Sequence, residues 1–134
     1  MFVNRYSTLV LIFVLFLFSC NKVEDAKLPT VTFKTGTGYV SGNTTVGKNH
    51  ILTVGVIADK NEADLRRVDI KVKYSYLSNE DTKKTFYMDD SEASHFETEY
   101  DIKTAGENGT ETWTFEATDK AGNIGSNKLV ITVQ

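Results

Sequence analysis

The chain has 134 residues, of which 40% are hydrophobic, and carries a formal net charge of −3 at pH 7. This length suits one ordinary domain, and the mildly acidic balance argues against nucleic-acid binding, which requires a clustered basic surface. Because the chain has a single cysteine, an internal disulfide is excluded, and a hydrophobic core has to stabilise the domain.

The amino-terminal segment is typical of an export signal. Arg5 precedes an apolar run from Leu9 to Phe18, which is shorter than the about 20 residues that cross a bilayer as a helix. The following motif, Leu17-Phe18-Ser19-Cys20, resembles the lipobox of bacterial lipoproteins, with Phe18 where a small residue is usual. The resemblance implies a signal peptide at 1–19 and acylation of Cys20, for example with palmitate. The alternative is a plain secretory signal with a chance cysteine.

The segment from 20 to 29 is polar, contains the only proline and lacks apolar periodicity, so it predicts a lipidated tether. Its charged residues Lys22, Glu24 and Asp25 loosely resemble the export tag of some Gram-negative surface lipoproteins; a merely solvated linker is the alternative. We therefore expect a protein of the cell envelope that contacts the membrane through its lipid. The expected membrane is the outer membrane of a Gram-negative bacterium, with surface exposure if the tag resemblance holds.

From Thr30 onward, apolar and polar residues alternate with the period of half-buried strands. The alternating positions expected on the inner face are Val31 and Phe33; Leu52, Val54, Val56 and Ala58; Val68, Ile70, Val72, Tyr74 and Tyr76; Phe96, Thr98, Tyr100 and Ile102; Trp113, Phe115 and Ala117; and Leu129, Ile131 and Val133. A shorter run at 85–88 predicts an edge strand, and the only helix signal is one turn at 61–65. The sequence thus predicts an all-β protein, an antiparallel sandwich of about seven strands at 30–134.

The stretch from Trp113 to Asn123 resembles the penultimate strand and last hairpin of bacterial immunoglobulin-like domains. Those domains often read aromatic-x-hydrophobic-x-Ala-x-Asp-x-Ala-Gly-Asn before a final strand, here Lys128 to Val133. Without paired cysteines the chain is more similar to fibronectin-III or cadherin-like sandwiches than to antibody domains. The strand pattern makes Trp113 the most central candidate for the core, and the resemblance implies a fold that serves adhesins, accessory modules and spacers alike.

Two acidic segments are weak calcium candidates, because calcium takes several oxygen ligands and cadherin-like sandwiches hold such ligands at domain ends. They contain Asp59, Asn61 and Asp64, and Asp89, Asp90 and Glu92. Solvated loops are the alternative for both, and we expect no metal and no other cofactor. The further acids Glu97, Glu99 and Asp101 share one parity and predict a solvated strand face.

Two tyrosines, Tyr39 and Tyr87, are weak candidates for contact with a glycan or a peptide, since we expect both to face water. The two histidines lie far apart in the sequence, and no catalytic motif is present, so we predict no catalytic residues.

Three functions compete. The leading hypothesis is a lipid-anchored envelope protein that displays a non-catalytic sandwich for binding or adhesion, with a protein or glycan ligand. The alternative is an accessory subunit of an envelope complex, for example in glycan uptake, whose sheet edge pairs with a partner. An enzyme acting on polysaccharide through two carboxyl groups is a distant third.

Overall fold

The computed structural model describes residues 27–134, so the predicted signal peptide and the lipidation site Cys20 lie outside the described residues. Eight strands form the domain: β1 (Thr30–Phe33), β2 (Thr44–Val46), β3 (Ile51–Asp59), β4 (Leu65–Tyr74), β5 (Glu80–Tyr87), β6 (His95–Lys103), β7 (Gly109–Asp119) and β8 (Ile124–Val133). The part of the chain that the structure describes contains no helix that could span a membrane. The all-β prediction is confirmed.

The strands form two sheets, one of three strands in the order β1-β3-β6 and one of five in the order β2-β8-β7-β4-β5. All neighbours are antiparallel except β2 and β8, which are parallel. This is an immunoglobulin-like sandwich, as predicted. In the constant-type version of that fold a fourth strand lies beside the strand equivalent to β6. Here residues 88–94 lead directly from β5 to β6, and that position holds no described strand.

The core lies between the sheets and is filled by the predicted alternating residues. Its buried members are Val31, Leu52, Val54, Val56, Ala58, Leu65, Val68, Ile70, Val72, Phe96, Ile102, Trp113, Phe115, Ala117, Leu129, Ile131 and Val133. Three aromatic pairs bridge the sheets, with ring centroids 5.1 to 6.0 Å apart: Phe33 with Phe115, Tyr100 with Trp113, and Phe96 with Phe86. Such pairs add about 0.5–1.5 kcal/mol each beyond the area they bury. Trp113 is buried as expected.

The predicted count of about seven strands agrees with the eight of the structure; the additional one is β2, which is only three residues long and shows no apolar alternation. Two details of the strand prediction were wrong. The edge strand begins at Glu80 rather than 85, since its first five residues are exposed and polar and carry no hydrophobic signal. Tyr76, expected inside β4, lies beyond the end of that strand and is 48% exposed.

The last hairpin has a short turn. β7 continues to Asp119 and β8 begins at Ile124, so the turn occupies only residues 120–123. The Asp119 carboxylate accepts hydrogen bonds from the backbone N–H and the side-chain amide of Asn123, at 2.8 and 2.9 Å. Both residues thus stabilise the turn.

The described chain enters the sandwich at a close backbone crossing. A Cβ atom on Gly125 would lie 1.7 Å from the carbonyl oxygen of Pro29, so β8 needs glycine where the entering chain crosses it. Nearby, the side-chain amide of Asn127 donates to the carbonyl of Val31 at 3.2 Å. These contacts fix where the tether predicted for 20–29 would meet the domain.

Candidate functional site

The outer face of the three-stranded sheet carries a row of acidic side chains. Strand β6 alternates buried or half-buried residues with exposed ones, and Glu97, Glu99 and Asp101 are all on the exposed side. The prediction of a solvated strand face is therefore confirmed. Neighbouring strands place groups of both signs beside this row, because cross-strand partners share a face: Asp59 pairs with His95 and Thr53 with Asp101.

Lys34 enters this face just after β1. Its backbone N–H donates to the carbonyl of Gly55 at 2.9 Å, which keeps the chain alongside β3. Its ammonium group contacts the Glu97 carboxylate and lies 3.8 Å from Glu99 Oε1. The hydrogen bond with Glu97 raises the pKa of Lys34, and the same bond lowers the pKa of Glu97. Both groups therefore stay charged over the physiological range.

The aliphatic part of Lys34 lies across Gly55 in the centre of β3. A Cβ atom on Gly55 would lie 2.6 Å from Lys34 Cδ and 2.7 Å from its Cβ. Glycine at this position lets the lysine stem lie flat on the sheet, which brings the ammonium group to the acidic row.

Tyr39 joins the same face rather than projecting into solvent. Its hydroxyl donates a hydrogen bond to the Glu99 carboxylate, and this bond raises the pKa of the tyrosine. The Lys34 ammonium lies 5.5 Å from the centre of the Tyr39 ring, within cation–π range. Of the two tyrosines singled out in the sequence, this one is half-buried and belongs to the acidic face.

His95 and Asp59 form one end of the row. His95 Nδ1 lies 2.6 Å from Asp59 Oδ1, and its Nε2 lies 3.7 Å from Glu97 Oε2. The hydrogen bond with Asp59 is the main cause of a raised His95 pKa, and the charge of Asp59 adds to it. At the other end Thr53 Oγ1 donates to Asp101 Oδ1 at 2.7 Å. Each acid thus has a partner and remains accessible.

The calcium candidates are not brought together. Asp59 contacts His95. Asp64 contacts two lysines instead: its Oδ1 lies 2.8 Å from Lys60 Nζ, and its Oδ2 lies 3.5 Å from Lys120 Nζ. The hydrogen bond from Lys60 holds the pKa of Asp64 below its usual value. Within residues 27–134, no three His, Cys, Asp or Glu side chains are close enough to hold one metal ion.

The second acidic segment forms a loop that Asp89 stabilises through hydrogen bonds within the loop. The Asp89 carboxylate accepts hydrogen bonds from the hydroxyl and backbone N–H of Ser91 and from the backbone N–H of Glu92, at 2.6 to 3.1 Å. These bonds lower the pKa of Asp89, and the hydrogen bond from the Ser91 hydroxyl has the largest effect. The remaining candidates, Asn61, Asp90 and Glu92, lie in the same two loops.

Tyr87 lies on the other sheet. It ends β5, is 73% exposed, and pairs across the strands with Arg67 on the outer face of the five-stranded sheet. The expectation that it faces water is confirmed. Tyr39 and Tyr87 cannot form one platform, because the two outer faces lie on opposite sides of the sandwich.

A shallow groove of about 290 Å³ opens on the five-stranded sheet, lined by Lys73, Tyr74, Ser75, Thr110 and Thr112. Four of these five residues carry a hydroxyl group and the fifth an ammonium group. The groove is not visible in the sequence, because its residues come from the end of β4 with the residue after it and from the start of β7, where the outward positions look like ordinary solvated threonines and lysines.

A buried carboxylate on β7 was not predicted from the sequence. Glu111 is 1% exposed and points inward on β7, where it accepts hydrogen bonds from the Trp113 indole N–H at 2.8 Å and from the Ala105 backbone N–H at 2.6 Å. Its parity with Trp113 and Phe115 was the available signal, since it predicts an inward position. Buried charges require such partners.

Solved structures share the fold but little sequence. The chain is similar to Spo0M, a sporulation control protein from Bacillus subtilis, with a TM-score of 0.52 and 8% identity over 81% of this chain and 50% of that chain. A variant of the SrpA adhesin from Streptococcus sanguinis is similar with a TM-score of 0.49 and 14% identity, over 83% of this chain and 57% of that chain. The chain therefore spans about half the length of these two proteins.

A third solved structure is the BIgI domain of the beta protein from S. agalactiae bound to CEACAM1. It gives a TM-score of 0.44 and 18% identity over 78% of this chain and 97% of that chain. No protein-family model matches the chain, and no curated protein is significantly similar to it in sequence. Because the sequence identity to Spo0M is only 8%, this similarity shows a shared fold and nothing further.

Proposed function

We propose that the chain is a lipid-anchored protein of the cell envelope whose immunoglobulin-like domain binds another macromolecule and performs no catalysis. The main support for the binding part of this proposal is the outer face of β6. There Glu97, Glu99 and Asp101 form an accessible row along a regular strand. A flat face with evenly spaced charges is suited to contact along its length, rather than to holding one small molecule.

The remaining carboxylates support this division of roles. Glu111 holds the indole of Trp113, and Asp119 closes the last hairpin, so both buried acids stabilise the fold. Asp69, also buried, accepts a hydrogen bond from the Thr85 hydroxyl at 2.6 Å, which ties β5 to β4. The acids available to a ligand are those on the surface.

The anchor half of the proposal rests on the lipobox resemblance around Cys20 and on the short connection to the fold. From Cys20 to the first strand at Thr30, an extended chain reaches roughly 35 Å at most. An acylated Cys20 would thus hold the domain close to the membrane surface. The stretch that enters the sandwich also contains an exposed ion pair between Lys27 and Glu62, 2.7 Å apart.

Incorporation of an alkyne-tagged palmitate tests the anchor in cells that express the full chain. We expect label on the wild type and on Ser19→Ala, which keeps a small residue before the cysteine, and loss of label on Cys20→Ala. The Cys20→Ala protein should also leave the membrane fraction. An unlabelled wild type recovered in the soluble fraction would remove the anchor from the account.

The binding half is tested by presenting the full chain, purified in detergent, to a glycan array and to immobilised envelope proteins. The matched variants are Glu97→Lys with Glu99→Lys on the acidic face, and Glu80→Lys with Asp81→Lys on β5. We expect retention that the first pair abolishes and the second pair leaves intact. Equal loss in both pairs would contradict a role for the acidic face.

A further inference from the structure

Strand β6 is an open sheet edge. Its nine residues pair with β3 on one side, and among residues 27–134 no strand pairs with its other side. The open side is the position that the additional strand of constant-type immunoglobulin sandwiches occupies.

The hydrogen-bond register identifies which backbone groups face this open side. The N–H of Lys60 donates to the carbonyl of Ser94 at 3.1 Å, and the N–H of Thr104 donates to the carbonyl of His50 at 2.9 Å. Both pairs continue the register of the ladder between β3 and β6. Because hydrogen-bonded pairs alternate in an antiparallel ladder, the even-numbered residues of β6 bond to β3. The odd-numbered residues turn their N–H and C=O groups outward.

The outward backbone groups therefore belong to the acidic residues themselves. Glu97, Glu99 and Asp101 each present an N–H and a C=O to the open side, together with a carboxylate on the outer face. Among the described residues, one contact reaches these backbone groups, a 3.4 Å approach of Thr98 Oγ1 to the carbonyl of Glu99. A new strand would find both its backbone partners and a row of negative charge.

The other edges are unsuited to strand addition. β1 and β2 have only four and three residues. β5 has eight residues, but a β-bulge interrupts its pairing with β4. Ile70 pairs with Lys84 and Lys71 with Thr82, so Lys83 is the extra residue. The next residue, Lys84, pairs with inward-facing Ile70, so a lysine stands on the inner side of this edge. Bulges and inward charges are two of the features that protect sheet edges from pairing.

β6 has neither protection. Its ladder with β3 is continuous over all nine positions, and its inward residues are Phe96, Thr98, Tyr100 and Ile102. The side chains of a strand added beside it would face β5, where Phe86 is partly exposed and contacts Phe96 with ring centroids 5.3 Å apart. Apolar residues at alternate positions would cover this aromatic pair.

We propose that β6 accepts an extended segment of a partner protein that alternates basic and apolar residues, as an added strand. Basic side chains of that segment would lie beside the acidic row, and its apolar side chains would point toward Phe86. A second copy of this chain fits poorly, because an antiparallel β6–β6 pair centred on Glu99 sets Glu99 against Glu99 and Glu97 against Asp101. This inference rests on the proposed function and specifies its ligand.

The probe is a synthetic peptide as long as β6 that alternates valine and lysine, offered to the full chain in detergent. Its controls are a peptide that alternates valine and glutamate, and a scrambled peptide with the composition of the probe. We expect saturable binding of the first peptide only, weakened by salt, and new protection of the Glu97, Glu99 and Asp101 amides from hydrogen exchange. Equal binding of all three peptides, or binding without that protection, would overturn the proposal.

Two variants separate backbone pairing from charge. Glu99→Pro removes an outward N–H without breaking a bond to β3, and should abolish the new amide protection. The combined Glu97→Gln, Glu99→Gln and Asp101→Asn variant keeps every backbone group and should weaken binding by about tenfold, as expected for the loss of three surface charge pairs. Unchanged affinity in this second variant overturns the proposal even if Glu99→Pro fails to fold.

The outcomes separate this inference from the proposed function. Protection of the same amides in the chain without peptide would mean that a second copy or the chain's own amino-terminal residues occupy the edge, and would overturn the inference. A chain that carries lipid on Cys20 and binds a glycan, but not the peptide, would preserve the proposed function and refute this inference. Loss of the lipid label leaves the peptide measurement unaffected.

Discussion

The two sheets of this sandwich differ in how their strands use the positions that face away from the core. On β7, at the centre of the five-stranded sheet, the outward residues Thr114 and Thr118 are themselves buried, and both neighbours of the strand are paired. On β6, at the edge of the three-stranded sheet, the outward residues are exposed acids. The comparison indicates that β7 mainly provides stability, whereas β6 offers a surface that can be changed at little cost.

The largest expected difference concerns inward aromatic residues on these two strands. Phe115→Ala on β7 should lower the free energy of unfolding by about 3–5 kcal/mol, because Phe115 is fully buried. Tyr100→Ala on β6 should cost less, about 2 kcal/mol, because Tyr100 is only partly buried. Urea denaturation measures both values. Equal losses would show that the two strands contribute alike and would remove the contrast.

The buried carboxylate of β7 provides the next test. Glu111→Ala leaves the Trp113 indole N–H and the Ala105 N–H without an acceptor, and should cost about 2–3 kcal/mol. Glu111→Gln keeps one carbonyl acceptor and should cost less. Denaturation midpoints should therefore fall in the order wild type, glutamine, alanine. If alanine were as stable as glutamine, these hydrogen bonds would not stabilise the fold.

Two glycine-to-alanine substitutions compare how well the two sheets tolerate an added methyl group. Gly125→Ala drives a methyl group into the backbone of Pro29 and should cost about 1–3 kcal/mol. Gly55→Ala meets the side chain of Lys34, which can move away toward solvent, and should cost under about 1 kcal/mol. Thermal unfolding of the two variants decides the matter. The reverse order would mean that the charged face is rigidly packed.

The smallest effect is a pH dependence at the end of the acidic row. Because Asp59 raises the His95 pKa in the folded state, the pair stabilises the fold below the ordinary histidine pKa of about 6.5 and loses this contribution as pH rises through the raised value. The size should fall within the roughly 0.2–1 kcal/mol of exposed ion pairs. His95→Gln should remove this pH dependence. A wild type that became more stable relative to His95→Gln with rising pH would contradict the sign.

Much of the fold could be predicted because alternation reports burial directly. The inward residues of β3, β4, β6, β7 and β8 follow from a period of two, and so does the exposed acidic row of β6. β2 and the polar half of β5 could not be predicted, since neither buries an apolar side chain in alternation. Their pairing depends on neighbours distant in sequence.

The candidate site was only partly visible for the same reason. Parity showed that Glu97, Glu99 and Asp101 share a face, but the partners Lys34 and Tyr39 are more than fifty positions earlier in the chain. Nothing local in the sequence indicates that β6 ends a sheet, because an edge is a property of the strand order. The parity of its backbone hydrogen bonds also follows only from the register with β3.

Residue-resolved hydrogen exchange of the full chain alone tests the central claim, an open and unprotected β6 edge, most directly. The amides of Thr98, Tyr100 and Ile102, which bond to β3, should exchange slowly. Those of Glu97, Glu99 and Asp101 should exchange nearly as fast as in an unstructured peptide. Slow exchange at all six positions would show that another strand already covers this edge, and would contradict the account.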